Sequence, residues 1–102
     1  MTKTMQAMAA ESRFEEAAEK AQAAGRAMAR ARFEGALSAM RHAAQVDTSS
    51  PGRGVAVVRA EIATQRDLPG MDDERGRTHL DGMQEGVAVY ASIWGEGAAK
   101  VG

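Results

Sequence analysis

The sequence predicts an all-α fold, a small three- or four-helix bundle that forms a dimer. Helix-forming residues run from position 5 to position 46 without a proline. Apolar residues recur at three- and four-residue spacing in several segments. No pair of segments offers two strands that could pair, and 102 residues suffice for one hydrophobic core, so we expect a single domain over residues 1–102.

The N-terminal half predicts either two helices or one long bent helix. The apolar residues before and after position 30 each follow a helical spacing, but the two sets differ in phase. Phe33 falls about 140° around a continuous helix from Met28. Glycine weakens a helix interior by about 1 kcal/mol relative to alanine, so Gly25 and Gly35 indicate a joint in this region, near Gly25 if there are two helices. The predicted helices cover residues 4–24 and 27–46.

Two clusters of turn-forming residues divide the second half. Residues 47–54 contain serine, proline and glycine, and they predict a loop. Ser50 and Pro51 are a candidate N-cap and a candidate first residue for the next helix. A third helix is expected over residues 54–66. The Pro-Gly pair at positions 69 and 70 predicts the second turn.

The last helix, predicted over residues 73–94, has the clearest pattern. Asp72 or Asp73 provides an N-cap, and Gly95 or Gly97 ends the helix before a loose tail at 95–102. A heptad seam comprises Gly76, Leu80, Met83, Val87, Tyr90 and Trp94. A second face comprises Gly82, Gly86, Val89 and Ile93.

These two faces predict more apolar surface than one short chain can cover. Glycines four residues apart allow helices to touch along their backbones, and a small domain has only one core to fill. We therefore expect this helix to contact a protein partner or a second copy of the chain. The predicted interface is Leu80, Gly82, Met83, Gly86, Val87, Val89, Tyr90, Ile93 and Trp94.

Charge is distributed unevenly although the net charge is −1. Residues 26–66 carry seven basic and three acidic side chains, whereas residues 67–102 carry three basic and seven acidic ones. Pairing between the arginines and the acidic helices is the favoured interpretation. The alternative is a helical regulator that binds nucleic acid through Arg26, Arg30, Arg32, Arg41 and Arg53.

The sequence offers few residues for metal binding, phosphate binding or catalysis. The chain has no cysteine, and neither His42 nor His79 has a glutamate or histidine at the spacing of a helical metal site. The Gly-x-Gly at residues 52–54 could hold a phosphate, but a connecting loop is favoured. The nearest candidates for an enzyme are His79, Glu85 and Tyr90, and the first two do not share a helical face.

We therefore predict a non-enzymatic helical interaction module with no metal and no cofactor. A regulator, an adaptor or a small inhibitor of a larger complex would each fit this pattern. The absence of cysteine, of an apolar span and of a signal-like N-terminus predicts a cytoplasmic protein that does not enter a membrane.

Overall fold

A computed structural model of the chain describes residues 2–70 and 72–96, which form four helices joined by short turns. The helices are α1 (Lys3–Ala23), α2 (Ala27–Ser49), α3 (Gly54–Arg66) and α4 (Glu74–Trp94). The predicted all-α class is confirmed, and each helix begins and ends within three residues of its predicted bounds. None of the described helices is both long and apolar enough to cross a membrane.

Helix α1 ends in a C-terminal capping motif at Gly25, before α2 begins. Gly25 adopts a left-handed backbone conformation with φ of 71°. The N–H of Gly25 donates to the carbonyl of Gln22 at 3.1 Å, and the N–H of Arg26 donates to that of Ala21 at 2.8 Å. These two hydrogen bonds form the Schellman motif, which terminates helices. The N-terminal half is therefore two helices, and the bent single helix is excluded.

Helix α3 begins at the predicted residue, but Ser50 does not cap it. The N–H of Ser50 donates to the carbonyl of Val46 at 2.7 Å, so Ser50 ends α2 and does not cap α3. Helix α3 begins at Gly54, whose N–H donates to Asp47 Oδ1 at 2.6 Å. A side chain seven residues earlier thus reaches across the turn and satisfies an N–H that the helix itself leaves unpaired.

The start and end of α4 follow the prediction. Asp73 Oδ1 accepts a hydrogen bond from the N–H of Gly76 at 2.6 Å, which is an N-cap. Gly95 ends the helix with φ of 88°. The other candidate for this end, Gly97, lies outside the described residues.

Helices α2 and α4 form the central pair and touch along their backbones. A Cβ atom on Gly82 would overlap the backbone carbonyl of Arg32, and one on Gly86 would overlap that of Ala36. Four residues further along α4, from Gly82 to Gly86, the contact on α2 also moves four residues further along, from Arg32 to Ala36. The two helices are therefore parallel. Gly35 provides the matching approach from α2, where a Cβ would overlap the carbonyl of His79.

Helices α1 and α3 each pack against both members of the central pair. The largest fully buried side chains are those of Met40, Leu80, Val58 and Val87. The molecule measures 41 × 36 × 18 Å, so its thinnest dimension is less than about two helix diameters with side chains. A fold this thin encloses only a narrow core, as the scarcity of aromatic residues predicts.

Both apolar faces of α4 are covered mainly by the chain itself. Helix α2 lies directly on the glycine face, and the core encloses most of the heptad seam. Trp94 remains exposed, and Val89 and Ile93 are half-buried. Six of the nine predicted interface residues are therefore buried within the chain: Leu80, Gly82, Met83, Gly86, Val87 and Tyr90.

We predict that Gly82→Ala destabilises the protein by about 1–3 kcal/mol, because the added Cβ forces α2 and α4 apart. Alanine is intrinsically favoured over glycine in a helix by about 1 kcal/mol, so propensity alone predicts the opposite sign. Denaturant unfolding followed by circular dichroism measures the difference.

The control for this experiment is Ala88→Gly on the exposed side of the same helix. Ala88→Gly should lower the free energy of unfolding by about 1 kcal/mol, through helix propensity alone. A Gly82→Ala protein as stable as the unmodified chain would contradict the close approach of the two backbones.

Candidate functional site

An apolar groove lies where the beginning of α1 meets the ends of α2 and α4. Its volume is about 390 Å³. We call it the apolar groove, and its lining consists of Thr4, Ala7, Met8, Glu11, Met40, Ala44, Asp47, Thr48, Tyr90 and Trp94. Six of these ten residues are apolar or aromatic, and none is basic.

Large apolar side chains reach solvent at this groove. Met8 is 62% exposed and Trp94 is 40% exposed, although both residue types gain free energy from burial. In the described residues the only other exposed large hydrophobic side chains are Met5, one turn before Met8 on α1, and Leu68 in the turn before α4. Exposed apolar surface is thus concentrated where α1 begins and α4 ends.

The floor of the groove is built from residues that also hold the fold together. Met40 is 1% exposed and Tyr90 is 5% exposed. The ring of Tyr90 lies beside that of Trp94, with centroids 6.3 Å apart. Since buried residues of α2 and α4 form this floor, the groove has a fixed base beneath its exposed rim.

Asp47 connects three helices at one end of the groove. Its Oδ1 atom accepts the hydrogen bond from Gly54 at the start of α3, and its Oδ2 atom accepts one from the hydroxyl of Tyr90 on α4 at 2.5 Å. Burial, then the hydrogen bond to Asp47 and its negative charge, raise the pKa of the Tyr90 hydroxyl far above its usual value. The phenol is therefore neutral and acts as a donor over the physiological pH range.

The Gly-x-Gly at residues 52–54, the weaker candidate for a phosphate site, has an N–H donor that is already occupied. The N–H of Gly54 would be the first donor available to an anion at the start of α3, but it already donates to Asp47. The negative charge of this carboxylate takes the place that an anion would occupy. The favoured interpretation, a connecting loop, agrees with the structure.

The predicted pairing of arginines with acidic helices is confirmed for two of the five. Arg41 contacts Glu11 and Glu15 of α1, each at 3.4 Å, and Arg32 contacts Glu85 of α4 at 2.7 Å. These ion pairs connect α2 to its two neighbours. They also neutralise charge that a nucleic acid would require.

The other three arginines, Arg26, Arg30 and Arg53, do not form one continuous basic surface. Arg30 pairs with Glu34 of its own helix at 2.7 Å. Arg26 precedes α2 and Arg53 follows it, so the length of that helix, about 34 Å, separates them. The five arginines proposed for nucleic-acid binding are therefore spread along the whole length of α2.

The three residues considered for an enzyme lie in contacts between helices. Glu85 pairs with Arg32, and Tyr90 donates to Asp47. The backbone of His79 lies against Gly35 at the crossing of α2 and α4. Over residues 2–70 and 72–96, no three histidine, aspartate or glutamate side chains are grouped so that they could hold a metal ion.

Sequence reasoning identified Tyr90 and Trp94 but missed Met8 and Asp47. Met8 belongs to a helix of mixed pattern, where a single apolar residue carries no signal of exposure. The turn-forming composition of residues 47–54 predicts a loop at Asp47, whereas the structure extends α2 to Ser49. The distance of seven residues between Asp47 and Gly54 exceeds the spacing of local caps, so only the path of the turn brings the two together.

No protein-family model matches this chain, and neither a curated protein nor a solved structure matches it. The geometry of the groove is therefore the basis on which a function can be proposed.

We predict that Tyr90 titrates at a higher pH in the folded protein than in the unfolded chain. A raised folded-state pKa means that the stability contributed by the neutral phenol is complete below about pH 10 and is lost as the pH rises toward the folded-state pKa. Tyr90 is the only tyrosine, so the ultraviolet absorbance of tyrosinate reports this group alone.

The absorbance titration of the native protein is compared with that of the same protein unfolded in guanidinium chloride. The Tyr90→Phe variant shows how much absorbance comes from other groups. Tyr90→Phe should also lose about 1.5–3 kcal/mol of stability at neutral pH, which is the usual contribution of a hydrogen bond to a charged group. Identical titration curves in native and denaturing conditions would contradict the buried contact with Asp47.

Proposed function

We propose that this protein is a helical interaction module that binds an apolar segment of a protein partner in the apolar groove. The single observation that carries the proposal is the exposure of Met8 and Trp94 at the rim of a groove with a buried floor. A regulator, an adaptor or a small inhibitor of a larger complex would all use such a site.

The chemistry of the rim suits protein recognition. Tryptophan is enriched among the residues that contribute most to binding energy at interfaces. Methionine is flexible and polarisable, so it adapts to the shape of a partner's side chain. A groove of about 390 Å³ falls in the usual size range of ligand sites and has room for roughly one or two large side chains.

A homodimer would cover the same groove in a different way. A two-fold interface brings identical patches together, so the Asp47 carboxylates of both copies would be enclosed in one interface. Like charges at an interface cost free energy. This balance favours a different protein as the partner, although the sequence also suggested a dimer.

Nucleic-acid binding has less support than protein binding. Arg30, Arg32 and Arg41 are already paired with carboxylates, and Arg26 and Arg53 lie at opposite ends of α2. A protein that binds through the groove requires none of these ion pairs to break.

We predict that a photo-reactive amino acid placed at Met8 cross-links one protein in the source cell and that the same residue placed at Leu68 does not. Leu68 is a matched control because it is 50% exposed and lies outside the groove lining. Mass spectrometry identifies the cross-linked protein, which is then purified for binding measurements.

The purified partner should bind the Met8→Gln and Trp94→Ala variants at least about tenfold more weakly, which is the size of a typical interface hot spot. Leu68→Ala should bind as the unmodified protein does. Equal affinity for all three variants would refute the groove as the binding site. Cross-links between two copies of the chain, together with a dimer in light scattering, would assign the groove to a homodimer instead.

A further inference from the structure

We propose that the apolar groove selects a partner segment with a cationic group, an ammonium or a guanidinium, next to its apolar side chain, and that Asp47 binds this cation. The inference rests on the proposed function and adds the charge of the ligand to it. It follows from the bonding of Asp47, the charges around the groove and the aromatic rings beside it.

Asp47 has acceptor capacity that the fold does not use. A carboxylate can accept about four hydrogen bonds, two on each oxygen. In the described residues Asp47 accepts two, from the N–H of Gly54 and from the hydroxyl of Tyr90, one on each oxygen. Neither donor is a cation, and the N-terminus of α3 supplies only a partial positive charge, so net negative charge remains on the carboxylate.

The two carboxylates of the groove differ in their partners. Glu11 lies 3.4 Å from the guanidinium of Arg41, which balances its charge. No lysine, arginine or histidine of the described part of the chain forms an ion pair with Asp47, and the groove lining contains no basic residue. Within residues 2–70 and 72–96, Asp47 is therefore a groove carboxylate that no cationic side chain pairs with.

The surroundings of Asp47 strengthen its attraction for a cation. Asp47 is half-buried, and Met40, Ala44 and Trp94 line the same groove. Apolar walls exclude water and lower the local dielectric constant, which makes a charge-assisted hydrogen bond stronger than it is in bulk water. The aromatic rings of Tyr90 and Trp94 add surfaces that attract cations.

A purely structural role for Asp47 makes a different prediction. If the carboxylate serves only to join α2, α3 and α4, the groove should bind apolar molecules regardless of their charge. If Asp47 also binds a cation, apolar molecules of equal length should bind in the order of their charge. Small probes of one chain length therefore separate the two roles without altering the protein.

The experiment uses octylamine, octanol and octanoate as probes at neutral pH, below the concentrations at which they form micelles. Trp94 is the only tryptophan and lines the groove, so its fluorescence reports occupancy at this site. We expect the ammonium to bind roughly tenfold more tightly than the alcohol, as a hydrogen bond to a charged group allows. The carboxylate should bind more weakly than the alcohol.

Two variants assign the effect to Asp47. Asp47→Asn should reduce the preference for the ammonium over the alcohol to about one. Asp81→Asn, which alters an exposed carboxylate that pairs with Arg66 outside the groove, should leave the preference unchanged. If Asp47→Asn does not fold, the ammonium preference of the unmodified protein must instead fall when salt rises from about 0.05 M to 0.5 M.

The outcomes separate this inference from the proposed function. Equal binding of the ammonium and the alcohol would overturn the role of Asp47 and leave the groove as an apolar site. No change in Trp94 fluorescence with any probe would overturn the cation site, while cross-linking at Met8 would still decide whether a protein partner binds there.

Discussion

The close approach of α2 and α4 is the constraint on which the rest of the fold depends. Gly82 and Gly86 place the backbone of α4 against that of α2, with no side chain between them. Two backbones in contact occupy little volume, so a chain with few aromatic residues can still close its core. Larger side chains such as those of Met40 and Leu80 fill the space beside the crossing.

The apolar groove follows from where this close contact ends. Toward the C-terminal end of α4, glycine gives way to Tyr90 and Trp94, whose rings require space. Helix α1 lies across this end and contributes Met8 and Glu11 to the rim. The same helices that pack tightly at the glycines in the middle of α4 therefore leave a concave apolar surface at its C-terminal end.

Asp47 relates the stability of this region to its proposed binding role. It stabilises the start of α3 and fixes the hydroxyl of Tyr90, so the groove floor is in place before any ligand arrives. Preorganised sites bind more tightly because less conformational entropy is lost on association. Asp47 can therefore stabilise the fold and, as proposed, also bind a cationic group of a ligand.

The sequence by itself determined the helices, because apolar spacing, Gly25, Asp73 and Gly95 are local signals that act within one or two turns. It also indicated that the glycines of α4 allow a backbone contact. Only the tertiary structure decided which helix makes that contact, since a glycine face suits a neighbour in the same chain as well as a partner. The groove could not be predicted for the same reason: Met8, Asp47 and Trp94 are far apart in sequence, and only the packing of three helices brings them together.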